Sequence, residues 1–486
     1  MVQDLIKIEP EWVLAAFTLA VILLDLFYHE KKILSVVSLC GLAIAAVWAI
    51  VYSLQLDGER LWAFNDMLVL DYYALFFKLL FLGIAFLVIL ASNDYIKKLQ
   101  HAQGEYYVLI MLSTLGMMLM AATTDLISIY IALELTSISL YVLVGLLKDD
   151  KSTESSLKYL LLGAVASAVL LYGMAMVFGF TGKTQLGDIA NALRAMSIAG
   201  IIDNPALLVG IVMLVAGFGF KIAAVPFQMW VPDVYEGAPT TITAFLSVGS
   251  KAAGFAVIGR VFLSAFGMSS ISTGWGMIFA VLAVLSMIVG NVAAIPQTNI
   301  KRMLGYSSVA QAGYLMVGLA TMGFGGGGGV QGQSGIMFFL TSYSLTNLGA
   351  FIAIIAITNA LNSDNISDFA GMGKRAPVLA LALTLCLISL VGMPPAAGFM
   401  AKFYIFRGAV YEGLLWLVII AVINSVISAY YYLRVVKIMW FNPAAAEEKV
   451  SSSAALRASL AIACLGVLAL GIVPNIVMEI AKIAAQ

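Results

Sequence analysis

The sequence predicts an all-α polytopic membrane protein of about fourteen transmembrane helices. Three observations carry this. The 486 residues are 62% hydrophobic and only 11% charged, whereas a soluble domain carries about 25% charged residues. Mean hydropathy is +1.02. Apolar runs recur along the whole chain, and a window of about 19 residues resolves them into spans. The formal net charge is zero, so no nucleic acid partner is expected.

The expected spans run in order. The first three, 12–28, 33–54 and 71–92, make an N-terminal segment, 1–105. Spans four to eight are 106–123, 125–147, 154–180, 206–235 and 240–265. Spans nine to thirteen are 275–297, 301–322, 334–361, 376–411 and 413–440, and 455–480 is the last. Loops after odd-numbered spans hold Lys31 and Lys32, Lys97 and Lys98, Lys148 and Lys151, Lys301 and Arg302, Lys374 and Arg375, then Lys437 and Lys449, except the loop after span seven, which carries Asp233 and Glu236 instead. Loops after even-numbered spans are poorer in basic residues, with Arg60, Lys183 and Arg194 the main exceptions. The positive-inside bias puts the first set in the cytoplasm and both termini outside, as an even span count requires. No basic segment followed by a small-residue cleavage site opens the chain, so a removed signal peptide is not expected.

Two spans are too long and are interrupted by proline. Span seven holds Pro226 and Pro232; span twelve reads SLVGMPPAAGFMAKFYIF, with Pro394 and Pro395 beside Gly392 and Gly398. Proline removes an N–H and clashes with the preceding turn. Broken helices survive in a bilayer only against protein or a wet cavity. A simple kink would explain either break alone. Two breaks five spans apart suggest discontinuous helices seven and twelve in two halves, and an odd repeat length inverts the second copy, as in inverted-repeat transporters.

Ionisable residues inside these spans are the candidate functional groups, because a charge at the bilayer centre costs on the order of 3 kcal/mol or more. Glu134 stands near the middle of span five. Lys221 ends an apolar run just before the first break, and Lys251 has eight or more uncharged residues on each side. Lys402 follows the second break and reads as the counterpart of Lys221. Lys158 reads as an inward partner for Glu134, although Glu154, four residues earlier, offers a surface pair. Lys78, Arg260 and Arg407 read as snorkelling to the interfaces. Lysine suits proton transfer: desolvation lowers its pKa and a nearby carboxylate raises it. Ser250, Tyr306, Ser307, Ser308, Gln311, Tyr314 and Asn347 are placed to hold connecting waters, or to make ordinary interhelical hydrogen bonds.

Other chemistries lack their residues. His29 and His101 sit in short polar loops, and Cys40, Cys386 and Cys464 read as buried small hydrophobes. GFGGGGGVQG, 323–332, contains G-x-G-x-x-G but follows a membrane helix rather than a strand, so it is a flexible loop and not a dinucleotide site. No spacing for a P-loop, zinc or an iron–sulfur cluster exists, so redox chemistry in this chain is not expected.

The stretches GFKIAAVPFQMWVPDVYEGAPTTITAFLSVGSKAA and QTNIKRMLGYSSVAQAGYLMVGL, with IYIALELTSISLYVLVG, GMPPAAGFMAKFYIF and SAYYYLRVVKIMWF, resemble the antiporter-like membrane subunits of respiratory complex I. PDVYEGAP and a lysine at 402 point to the smaller branch of that family, without a long C-terminal lateral helix. The resemblance implies two inverted five-helix repeats, here 106–270 and 271–440, with 441–486 carrying the last helix. It implies a proton path through Glu134, Lys158, Lys221, Lys251 and Lys402. It also implies that NADH, FMN, iron–sulfur clusters and quinone belong to partner subunits, with none bound here. The implied neighbours are the antiporter-like subunit M and small subunits such as K and J, besides lipids, in a bacterial inner membrane. Many relatives carry histidine where this chain has Gln228, so any linking role of that residue falls to Gln228 or water.

Redox energy released elsewhere would thus shift charge along a membrane arm. Lys221 beside Glu134 would load from the cytoplasm, Lys251 would connect, and Lys402 would release to the outside. The alternatives are a subunit of a multi-subunit cation/proton antiporter, a relative driven by ferredoxin, and a structural subunit that no longer pumps.

Overall fold

The computed structural model describes residues 2–27, 32–93, 95–96, 99, 102–196, 205–324, 329–443, 450 and 452–486. His29, His101, Lys31, Lys97, Lys98, Lys449 and the glycines 325–328 lie outside them. The helices are α1 (Glu9–Phe27), α2 (Lys32–Gln55), α3 (Tyr72–Ala91), α4 (Gln103–Ala122), α5 (Leu126–Val144), α6 (Asp150–Thr181) and α7 (Pro205–Ile222). Then come α8 (Thr240–Phe266), α9 (Ser269–Ala294), α10 (Ile300–Phe324) and α11 (Val330–Leu361). Last are α12 (Pro377–Val391) with its second half (Ala397–Tyr411), α13 (Leu415–Phe441) and α14 (Ala454–Ile472).

Among the described residues twelve helices are long and apolar enough to cross a membrane. The two expected spans outside that count have physical reasons to be there. Helix α10 has the length but carries Lys301, Arg302, Gln311 and several serines. The twelfth span is split at Gly392 into two helices of 15 residues.

Helix starts are set by side-chain caps, which satisfy otherwise orphaned N–H groups. Asp71 accepts from Ala74 N at 2.8 Å, Asp125 from Ile127 N at 2.9 Å, Asp149 from Ser152 N at 2.7 Å and Asn299 from Lys301 N at 2.9 Å. Helices α6 and α11, each of 32 residues, both end on a left-handed residue, Gly182 (φ 67°) and Asn362 (φ 54°). The extended residues that follow each are stapled to the start of α5 or α10. Leu126 N donates to Thr184 O (3.0 Å) and Leu186 N to Thr124 O (2.9 Å). Five spans on, Ile300 N donates to Asp364 O (2.9 Å) and Ile366 N to Thr298 O (2.8 Å).

A short hairpin, β1 (Leu61–Ala63) with β2 (Leu68–Leu70), pairs Trp62 with Val69. It gathers one face of the protein. Lys7 donates to Trp62 O (2.6 Å), Arg60 to Gln486 O (3.2 Å) and Gln185 to Asp66 O (3.2 Å). The two termini therefore share a face, consistent with an even number of crossings. Helix α8 runs through the middle, its most apolar window wholly buried.

Two snorkelling expectations fail for one reason: an acid from another helix lies beside the base. Lys78 is fully buried and meets Glu11 of α1 at 2.8 Å, with 1% and 4% of the two side chains exposed. Arg260 is buried and donates to both carboxylate oxygens of Asp71, at 2.9 and 2.8 Å, with Tyr73 beneath it at 4.8 Å. Arg407 is exposed. Of the cysteines expected to be buried, Cys40 is instead exposed on the surface of α2, where no other helix covers it, Cys464 is half-buried, and Cys386 is buried against Cys464.

Candidate functional site

The first break follows directly from its residues. Helix α7 stops at Ile222 because Ala223 takes a left-handed turn (φ 62°) and Pro226 withholds a backbone donor. The freed groups find partners, as they must in a bilayer. Trp230 donates its indole N–H to Phe220 O at 3.1 Å, Ala224 N reaches Gly219 O at 2.8 Å, and Val225 N reaches Ser286 Oγ at 2.9 Å. Lys221, buried, sits on the last turn before the break and donates to Ser137 Oγ of α5 at 2.8 Å.

Ser137 lies one turn beyond Glu134 on the same helix, so α5 presents both to this region. The Glu134 carboxylate, half-buried, is turned toward α6, where it accepts from the Ser167 hydroxyl. The expected Lys221–Glu134 ion pair is therefore not closed: Lys221 is bonded to Ser137 and Glu134 to Ser167. Lys158 does not partner Glu134 either. Its side chain is 43% exposed and pairs with Glu154 at 2.7 Å and Asp233 at 2.9 Å. Asp233 in turn meets Arg302 at 2.7 Å, and Arg302 meets Glu236 at 3.1 Å. Lys158 thus belongs to a surface network at the helix ends, where the i,i+4 acid wins over the more distant carboxylate. Lys158→Ala is expected to cost less than about 1 kcal/mol of stability, measured by thermal unfolding of the purified protein.

Lys251 occupies the centre. A π-helical turn, Leu246–Ser250, precedes it in α8, the kind of local widening that recurs at functional sites. Its ammonium donates to the carbonyl and hydroxyl of Ser308 on α10. Ser308 is also bonded to the Tyr235 hydroxyl at 2.9 Å, and Asn347 of α11 donates to Ser247 at 2.7 Å. Gly254, one turn beyond Lys251, lets α7 approach: a Cβ there would stand 2.6 Å from Ile222 Cγ2 and 3.5 Å from Lys221 Cγ. The stem of Lys221 therefore runs past the helix that carries Lys251. Gly254→Ala is expected to destabilise the protein by about 1–3 kcal/mol through this overpacking, read as a lower melting temperature of the purified complex.

The second break is held by a lysine. Helix α12 ends on Gly392 (φ 92°), followed by Met393, Pro394 and Pro395. Lys402, buried, points back from the second half and donates to Leu390 O (3.2 Å), Val391 O (2.8 Å) and Ser425 Oγ of α13 (2.7 Å). Gln311 of α10 also donates to Leu390 O at 3.0 Å, and the ammonium lies 4.4 Å from the centre of the Tyr314 ring. Lys221 and Lys402 are thus not strict counterparts: one precedes its break and the other follows it.

One face of α10 joins these groups. Ser308 takes Lys251, Gln311 shares an acceptor with Lys402, and Tyr314 lies under Lys402; Ser307 is bonded to Tyr432 of α13. Tyr306, named with them above, is only half-buried. Ser250, Ser342, Ser344 and Tyr343 have buried hydroxyls without a hydrogen-bond partner among the described residues. A small cavity beside Lys402 is lined by Gln311, Ser342, Tyr343 and Ser389 together with Phe339, Leu390 and Ala401. Gln228 stands in the turn after the first break, half-buried, its amide oxygen enclosed without a partner among the described residues. Sequence reading missed the roles of Ser137, Ser167 and Ser425, since a serine in an apolar helix gives no signal of its own. It also missed the pairs Glu11–Lys78 and Asp71–Arg260. No cluster of metal-ligand residues occurs among the described residues.

Comparison with known proteins places this geometry. Residues 123–428 match the family described as NADH:quinone oxidoreductase/Mrp antiporter, TM. A protein of Dehalococcoides mccartyi named NADH-quinone oxidoreductase subunit N is 47% identical over 480 residues, 98% of each chain. A chain of respiratory complex I from Thermus thermophilus superposes with a TM-score of 0.81 at 31% identity, covering 97% of this chain and 98% of that one. A chain of an archaeal membrane-bound sulfane sulfur reductase superposes with a TM-score of 0.87 at 26% identity, covering 98% and 96%.

Proposed function

This chain belongs to the NADH:quinone oxidoreductase/Mrp antiporter family of membrane subunits, and from that membership we propose that it carries protons as the N-type subunit of the membrane arm of a respiratory complex I. The observation that carries this reading is the row of buried, hydrogen-bonded amines at mid-membrane, Lys221, Lys251 and Lys402, with Glu134 at its end. Moving one charge against the membrane potential costs about 2.3 kcal/mol per 100 mV. Electron transfer from NADH to quinone, in partner subunits that hold the FMN and iron–sulfur clusters, supplies that energy. The chain's own residues hold and pass the proton. Lys158, with Glu154, Asp233 and Arg302, forms the polar entrance on the cytoplasmic side. Lys221 takes the proton there, Lys251 passes it on along the α10 face, and Lys402 ends the row.

Two inverted repeats, 106–270 and 271–440, frame this row. The matching staples at Thr124–Leu186 and Thr298–Ile366, and the breaks five spans apart, support that division. Both termini lie on the periplasmic face of the inner membrane, in line with the basic loops on the other side. The neighbours are the antiporter-like subunit M and the small subunits K and J.

The test is to purify the complex through a tag on this chain. Copurifying redox subunits and NADH-driven acidification of inverted vesicles support the reading. The same family description covers Mrp antiporters, so the competing reading is a cation/proton antiporter subunit. A sodium-driven pH change without NADH, and no redox subunits, would establish that one instead.

A further inference from the structure

We propose that the groove between α2, α3, α11 and α14 seats an acyl chain of an anionic phospholipid, whose phosphate lies in the charged cavity at the groove's end. The proposal goes beyond proton transfer and does not rest on it. The groove, of about 930 Å³, is walled by Leu42, Leu79, Leu348 and Ile462, with Ile480 from a last helix, α15 (Asn475–Ala484). Among the described residues no charged side chain lines it. On α3 its wall runs from Tyr72 to Leu87, about 22 Å of helix. One leaflet of hydrocarbon is about 15 Å thick, half of the bilayer core, so a whole acyl chain fits lengthwise. Gly83, the one glycine of α3, is exposed in this groove, and a Cβ there would meet nothing within 4 Å. Helix packing therefore does not require glycine at 83; its missing side chain leaves depth in the groove.

The end of the groove sets the headgroup. A second cavity, of about 860 Å³, opens on the face that carries both termini, and Tyr72, Ile483 and Ala484 line both. Tyr72 opens α3, and tyrosine marks the boundary between hydrocarbon and water. Five charged residues line the second cavity: Glu59, Arg60, Asp71, Arg194 and Arg260. Asp71 and Arg260 close on each other through two hydrogen bonds. Two exposed arginines are left against one acid. Arg60 gives one bond to Gln486 O (3.2 Å), and Arg194 gives one to Asn191 Oδ1 (3.4 Å). A guanidinium has about five N–H donors, so most of both remain for a phosphate, which arginine binds through paired donors. An apolar helix of a neighbouring chain would cover the groove and leave these arginines unanswered. A phospholipid satisfies both ends, and the excess of positive charge selects an anionic headgroup over a zwitterionic one.

The experiment uses the assembled complex, purified in detergent and stripped of loosely held lipid, with Cys40→Ser and Cys464→Ser to silence the accessible thiols of this chain. Gly83→Cys, in the groove, and Leu19→Cys, exposed on α1 outside it, are labelled with an apolar maleimide, and labelling of this chain is read on a gel. Phosphatidylglycerol is expected to slow Gly83→Cys about threefold or more, as lipid at about twice its dissociation constant gives, and to leave Leu19→Cys unchanged. Phosphatidylethanolamine should protect less, and glycerol phosphate, a headgroup without chains, should not protect. Arg60→Ala with Arg194→Ala should abolish the preference for phosphatidylglycerol. The proposal is overturned if the two lipids protect Gly83→Cys equally, or if phosphatidylglycerol slows both cysteines alike, which is dilution into bulk lipid. Protection by glycerol phosphate alone also overturns it, in favour of a free anion. So does a Gly83→Cys that stays unreactive without lipid while Leu19→Cys reacts, because a neighbouring subunit then covers the groove.

Discussion

Lys221→Ala is expected to assemble normally and to lose NADH-driven proton pumping by roughly tenfold or more, the factor that about 1.4 kcal/mol on one barrier produces. The side chain is buried at the end of α7, with Ser137 its hydrogen-bond partner and Gly254 alongside its stem. Alanine keeps the turn at Ala223 and Pro226, because the indole of Trp230 holds the Phe220 carbonyl and not the lysine. The break therefore survives while the carrier goes. Among the described residues no other amine is bonded to Ser137. Pumping and quinone reduction measured together in reconstituted vesicles check this; full pumping by the variant would remove Lys221 from the path.

The second large effect concerns stability. Lys78→Ala is expected to cost about 3–5 kcal/mol, because it leaves the Glu11 carboxylate buried without the one cation paired with it among the described residues. Removing both charges together, as Glu11→Leu with Lys78→Met, is expected to restore most of that loss, since a buried pair gains little over well-packed apolar groups. Thermal unfolding of the purified complex reads both. The double variant should also pump, because the pair joins α1 to α3 away from the lysine row. A double variant that is stable but does not pump would bring Glu11 and Lys78 into the proton path.

What the sequence revealed depended on how far each group's partner lay along the chain. Lys221, Lys251 and Lys402 stand out because nothing charged lies near them in sequence, so only burial with a function explains their retention. Both breaks were visible because proline and glycine act locally. Lys78 and Arg260 were misread because Glu11 and Asp71 come from other helices, and only the packed bundle brings them together. Lys158 was misread in the opposite sense, since Glu154 was near enough to take it and did. The sharing of Ser308 and Gln311 between two lysines needed the register of α10 against α8 and α12, which no pattern in one helix encodes.

The three acceptors around Lys402 make its charge state mechanical. An ammonium has three N–H bonds, and here each has its own oxygen: two are carbonyls at the severed end of α12 and the third is a hydroxyl on α13. A neutral amine has only two to give. Loss of a proton from that ammonium would free one of the carbonyls, or reverse the bond to Ser425 so that its hydroxyl donates to the amine and leaves Val391 O. A change of charge on Lys402 would therefore act on the severed end of α12 and on its join to α13.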